Sequence, residues 1–166
     1  MANVYDLVVG TEHAVCESSR LKATTAGHIY DLQCHKALDN GAIVGVGAHV
    51  EGQVFASKDY AAGDITCLVL TPPFAYNGNK YRSEEKFFYN EAGEIARAYE
   101  LHVGDIYTIS AKGLSGTPAV GSYIDATGKV AASAGSTGYV GEIIEEVNHL
   151  NAAGSSKAYR ILVKKL

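Results

Sequence analysis

The chain has 166 residues and a mass of 17.5 kDa, room for one domain of ordinary size or two small ones, and a chain of this length can bury roughly 70% of its unfolded surface without disulfide staples. Net charge is −4, pI is about 5.8 and 19% of residues are charged, so the broad basic field that holds nucleic acid is missing. Three cysteines cannot pair off evenly, no apolar run approaches the ~18 residues of a membrane span, and residues 1–19 carry Asp6 and Glu12 where a secretion signal needs a basic and then an apolar stretch.

These bounds lead us to expect a soluble chain kept in a reducing cytosol, without nucleic-acid or membrane partners. Eighteen glycines, three prolines and eleven tyrosines describe many turns and half-buried aromatic surfaces, which favours strands over helices. Residues 5–10 (YDLVVG) form a short apolar run suited to a first strand or to lying on a neighbour, and residues 11–25 mix polar and small residues without a period. Residues 28–36 alternate only weakly, so 1–38 is expected to be an arm and loop, with a β-rich domain over 39–166. Asp39-Asn40-Gly41 is a turn signal, followed by the strand AIVGVGAHV. Gly63-Asp64 and Gly104-Asp105 each open a β-branched or aromatic run, as two strands of one barrel or sandwich would, and Pro72-Pro73 stop the first.

Residues 83–101 are the most ambiguous. Ser83 suits a helix cap without its partner glutamate, Gly93 interrupts any long helix, and residues 94–101 fit either element. Strand is preferred because glycine turns bracket a strand-sized length, with Ile95, Arg97, Tyr99 and Leu101 on one face. Residues 119–132 read as a hairpin about Asp125–Gly128, residues 139–147 as a strand, and residues 159–166 as a closing strand with Tyr159, Ile161 and Val163 on one side. The fold expected is therefore mainly β: a small antiparallel barrel or sandwich with an extended N-terminal arm and at most one short helix.

Reactive chemistry is hard to find in the pattern. His13-x-x-Cys16 has zinc-ligand spacing but no second pair, and Cys34 and Cys67 suit small core positions. Gly41-x-x-x-Gly45-x-Gly47 leads into a strand rather than the helix a phosphate loop needs, and Gly113-Leu114-Ser115-Gly116 lacks the spacing of a nucleophile elbow. Glu84-Glu85 and Glu145-Glu146 are adjacent, which points them apart on a strand. No catalytic residue, cofactor or metal is expected. The aromatics of 76–81 (YNGNKY) and Phe87-Phe88-Tyr89 sit in or near turns and suit a protein interface, or, for Phe87 and Tyr89, the core.

From residue 90 (NEAGEIARAYELHVGDIYTIS), through GLSGTPAVGSYIDATGK and VGEIIE to YRILVKKL, the chain resembles the capsid decoration, or cement, proteins of tailed bacteriophages. The likeness lies in layout over the last two-thirds of the chain: a Gly-Asp turn into a strand, a small-residue hairpin, a Val-Gly-Glu-Ile strand and a terminal strand. It implies a non-catalytic structural protein of the virion, assembled in the bacterial host cytoplasm. Such a protein binds the major capsid protein on the shell's outer face, often as a homo-oligomer. Exposure arguments, not family motifs, choose the contact residues: Val4, Tyr5, Leu7 and Val8 in the arm, and Tyr76, Tyr81, Phe87 and Phe88. The competing expectations are another tail or virion component on a small barrel, and an enzyme or carbohydrate-binding module using scattered His49, His102, Asp105 and Tyr123.

Overall fold

A computed structural model describes residues 12–73, 85–148 and 157–166. It is mainly β, with two sheets. The strands are β1 (Cys16–Arg20), β2 (Ile29–Gln33), β3 (Ile43–Glu51), β4 (Val54–Asp59), β5 (Thr66–Val69), β6 (Ile95–Glu100), β7 (Ile106–Ser110), β8 (Tyr123–Ile124), β9 (Val130–Ala131), β10 (Val140–Asn148) and β11 (Lys157–Lys165). Among the described residues the single α-helix, α1 (Lys22–Ala26), has five residues, and no helix is long and apolar enough to cross a membrane.

Five strands close a barrel in the order β2-β4-β3-β5-β6, and the other six form a sheet in the order β1-β7-β11-β10-β8-β9. The expected barrel is thus present, with one departure from antiparallel pairing: β2 runs parallel to β4. A parallel pair needs a crossover, and the whole of β3 supplies it before its hairpin returns as β4. The two strands opened by Gly-Asp turns fall in different structures, β5 in the barrel and β7 in the sheet.

Residues 12–38, expected as part of an arm, are instead built into both sheets. β1 pairs with β7, and β2 pairs with β4 and β6. Residues 1–11 lie outside the described residues.

The barrel interior holds Leu32, Cys34, Leu38, Val44, Cys67, Val69, Ala96 and Ala98, all small or slender apart from the two leucines. Barrel diameter grows with strand number, so five strands leave little space inside and small side chains fill it. That reverses the expected face of β6: Ala96 and Ala98 are buried, while Ile95 is 53% exposed. A second cluster welds barrel to sheet. Ile43 and Leu68 from the barrel pack with Tyr107, Ile109, Ile143, Ile161 and Val163 from the sheet. All four residues of β5 are buried because Cys67 and Val69 face the barrel interior while Leu68 serves the second cluster.

The Asp39-Asn40-Gly41 turn is also a stitch between elements. Asn40 donates from Nδ2 to the Thr71 carbonyl (2.8 Å) and accepts from the Thr71 amide (3.0 Å), while Asp39 accepts the Ala14 amide (3.0 Å) and bonds His13 Nδ1 (2.7 Å). Buried polar groups need such partners, and here they fix the entry to β1 and the exit from β5 against one turn.

Candidate functional site

One cluster of potential ligands stands out at the seam where β6 closes the barrel onto β2. Helix α1 ends at Gly27, whose φ of +74° gives the left-handed cap that only glycine takes cheaply, and the chain turns there to deliver His28 to the start of β2. Pairing of Ile29 with Tyr99 places His28 beside Glu100, and the Glu100 amide donates to the His28 carbonyl at 3.1 Å. Glu100 follows Ala96 and Ala98 on the inward side of β6, an unusual register for a carboxylate. Its Oε2 lies 2.8 Å from His28 Nδ1 and its Oε1 lies 3.6 Å from His102 Nε2. Ligand atoms of the three side chains all fall within 4.8 Å of one another.

Asp105 holds this corner. It is 4% exposed, and its carboxylate accepts the His102 amide at 2.8 Å and the Lys22 amide at 3.0 Å. The second bond satisfies one of the amide donors that the first turn of a helix leaves open. One side chain thereby ties the β6–β7 turn to α1. His102 Nδ1 is buried, makes no hydrogen bond, and lies 4.0 Å from Asp105 Oδ2.

Elsewhere, titratable groups are held in structural bonds. Burial pushes Cys34 up to about 11 and Cys67 up to about 12, and raises Cys16 further, so all three free thiols stay protonated near neutral pH. The Lys36 hydrogen bond, with one from His35, holds the Asp59 carboxyl below its ordinary value. Burial pulls Asp125 upward, but hydrogen bonds from Thr127 and Lys129 overcome that and leave it lowered. Both line a cleft of about 600 Å³ between barrel and sheet, together with Tyr60 and Tyr107.

The residues chosen from sequence scatter. Val4, Tyr5, Leu7, Val8, Tyr76 and Tyr81 lie outside the described residues. Phe87 and Phe88 are 6% and 4% exposed, so the exposure argument that selected them fails: both belong to the interior around a 3₁₀ turn at Glu85–Phe87. Of the scattered set, His102 and Asp105 meet, whereas His49 bonds the Gly52 carbonyl in the β3–β4 hairpin and Tyr123 sits in β8 of the sheet. His13 does not form a metal pair with Cys16; it bonds Asp39 and stacks on Tyr89 with ring centroids 4.5 Å apart. Glu145 and Glu146 diverge to separate partners, Arg160 and Lys157.

Sequence reading missed His28 and Glu100. A signal existed, since Glu100-x-His102 puts two ligand types on one face of an extended segment. It also missed a partly exposed aromatic group on the barrel, where Phe55 meets Tyr30 edge-on at 6.1 Å and His49 at 5.5 Å; Val50, in the same strand as His49, is 44% exposed. No family model, no curated protein and no solved structure matches the chain.

Proposed function

We propose that this chain is a structural, non-catalytic protein of a tailed-phage virion that binds the outer face of the capsid and stabilises it. The observation that carries the reading is where the resembling segments sit from Gly104 onward: the strand after Gly104-Asp105, the small-residue hairpin, the Val-Gly-Glu-Ile strand and the terminal strand are β7, β8–β9, β10 and β11 of one antiparallel sheet, while the stretch from residue 90 that leads into them is β6 of the barrel. They form a contiguous structural unit, as a shared layout requires.

In this reading the partner is the major capsid protein, and many copies on one shell let each contact stay modest. Phe55 and His49 of the β3–β4 hairpin with Tyr30 of β2 supply an aromatic contact surface, with the exposed Val50 on the same hairpin, replacing the buried Phe87 and Phe88. The test is co-sedimentation of purified protein with phage capsids assembled without it. Saturable pelleting with the shells supports the reading. A protein that stays in the supernatant at every shell concentration refutes it.

A further inference from the structure

The cluster at the barrel seam carries an inference independent of any capsid. We infer that His28, Glu100 and His102 form a binding site for a divalent transition-metal ion, with zinc the ion that suits the donor set. Two imidazoles and one carboxylate are the ligand types of borderline ions, whereas calcium and magnesium take oxygen ligands almost throughout. Three protein ligands leave a further position for water or for a group from a docked partner.

The geometry is close to what an ion needs. Ligands held at about 2.0 to 2.1 Å around a tetrahedral centre lie about 3.4 Å apart. The Glu100 oxygens are already 2.8 Å from His28 Nδ1 and 3.6 Å from His102 Nε2, and the widest separation in the set is no more than 4.8 Å. The His28 side chain is 56% exposed, which leaves its ring room to turn toward a shared ion. The other two ligands stand on fixed backbone: the Glu100 amide is bonded to His28, the Leu101 amide to Thr66 (2.8 Å), and the His102 amide to Asp105.

The unpartnered Nδ1 of His102 is the second observation. A ring that binds a metal through Nε2 carries its proton on Nδ1, and metal-bound histidines commonly direct that proton at a carboxylate. The buried Nδ1 has no hydrogen-bond partner and faces Asp105 Oδ2 at 4.0 Å, so a small inward shift of the ring under metal coordination would complete the histidine–carboxylate pair. The bound ion joins the start of β2 to the end of β6, the pairing that closes the barrel, and an ion bound only by the folded state stabilises it by mass action.

The experiment uses the full chain stripped with a chelator, then titrated with zinc chloride in a calorimeter, with thermal melting on the same samples. One zinc per chain and a raised melting midpoint are expected. His28→Ala, Glu100→Gln and His102→Ala should each weaken binding tenfold or more, with His49→Ala unchanged. His28→Ala alters a largely exposed side chain, so it tests the site even if a change at Glu100 disturbs folding. Cobalt substitution should give a visible spectrum without thiolate charge transfer, since the three cysteines are not ligands. Absence of saturable zinc binding, wild-type affinity in the His28→Ala and His102→Ala proteins, or a thiolate band would each overturn the assignment.

Discussion

The hydroxyls of Tyr107 and Tyr139 meet 2.6 Å apart inside the core, each side chain all but sealed from solvent. Tyr107 comes from β7 and Tyr139 from the residue before β10, so the bond spans the sheet beneath the face that packs on the barrel. Burial raises both phenols above their ordinary value, and the pair stays neutral. Gly141 makes the space: a Cβ there would stand 2.8 Å from the Tyr139 hydroxyl and 2.6 Å from Ile161 Cγ2. Tyr107→Phe strands a buried hydroxyl, and we expect a loss of about 1 to 3 kcal/mol in denaturant unfolding. The double change to phenylalanine should cost less than the two single changes added. Strict additivity would show that the hydroxyls do not depend on each other.

The Asp39-Asn40-Gly41 turn makes the second prediction. Gly41 has φ of +92°, and a Cβ there would lie 2.5 Å from Ile109 Cδ1. Gly41→Ala therefore meets both backbone strain and a clash at the junction of barrel and sheet, and should destabilise by more than ~1 kcal/mol. Ile109→Val, which removes the clashing methyl, should restore part of the loss in the double variant. No restoration would place the whole cost in the backbone.

Thiol chemistry gives a third. Burial dominates the upward shift of Cys67, with the Glu100 charge adding to it, and burial likewise raises Cys34 and Cys16. A thiol-specific chromogenic reagent at pH 8 should label none of the three in the folded protein, and labelling should follow the unfolding rate as denaturant is added. A fast stoichiometric reaction in native buffer would contradict the burial.

Acid sensitivity is the fourth. The Lys58 hydrogen bond holds the Asp64 carboxyl below its ordinary value, helped by the Ala61 amide, and Lys36 does the same for Asp59. A carboxyl lowered in the folded state contributes stability above its unfolded pKa of about 4, and that contribution disappears as pH falls through the lower folded value. Stability should thus decline on acidification below about pH 4, and Asp64→Asn should flatten part of the decline. An unchanged acid slope in that variant would remove Asp64 from the account.

How much of this was readable beforehand depends on which side chains carried the burial. β5, β7, β10 and β11 hide Leu, Ile, Val and Tyr behind clear turns, so their pattern is plain in the sequence. β2, the Cys34 that follows it and β6 line a narrow barrel with Leu32, Cys34, Ala96 and Ala98 while Ile29 and Ile95 face outward, so the usual weighting of large apolar residues points to the wrong side. The candidate site was opaque for another reason. His28 and Glu100 are 72 positions apart and meet only because β2 and β6 pair, a closure no local period announces.

The claim that most of the account rests on is adhesion to a phage shell, and heat challenge of DNA-filled capsids measures it most directly. Particles lacking the protein are heated with and without the purified chain, and released DNA is followed by dye fluorescence. Added wild-type protein should raise the release temperature, and Val50→Asp, at a position 44% exposed, should reduce that gain while leaving the protein's own melting largely intact. Identical release curves with and without saturating protein would contradict the claim.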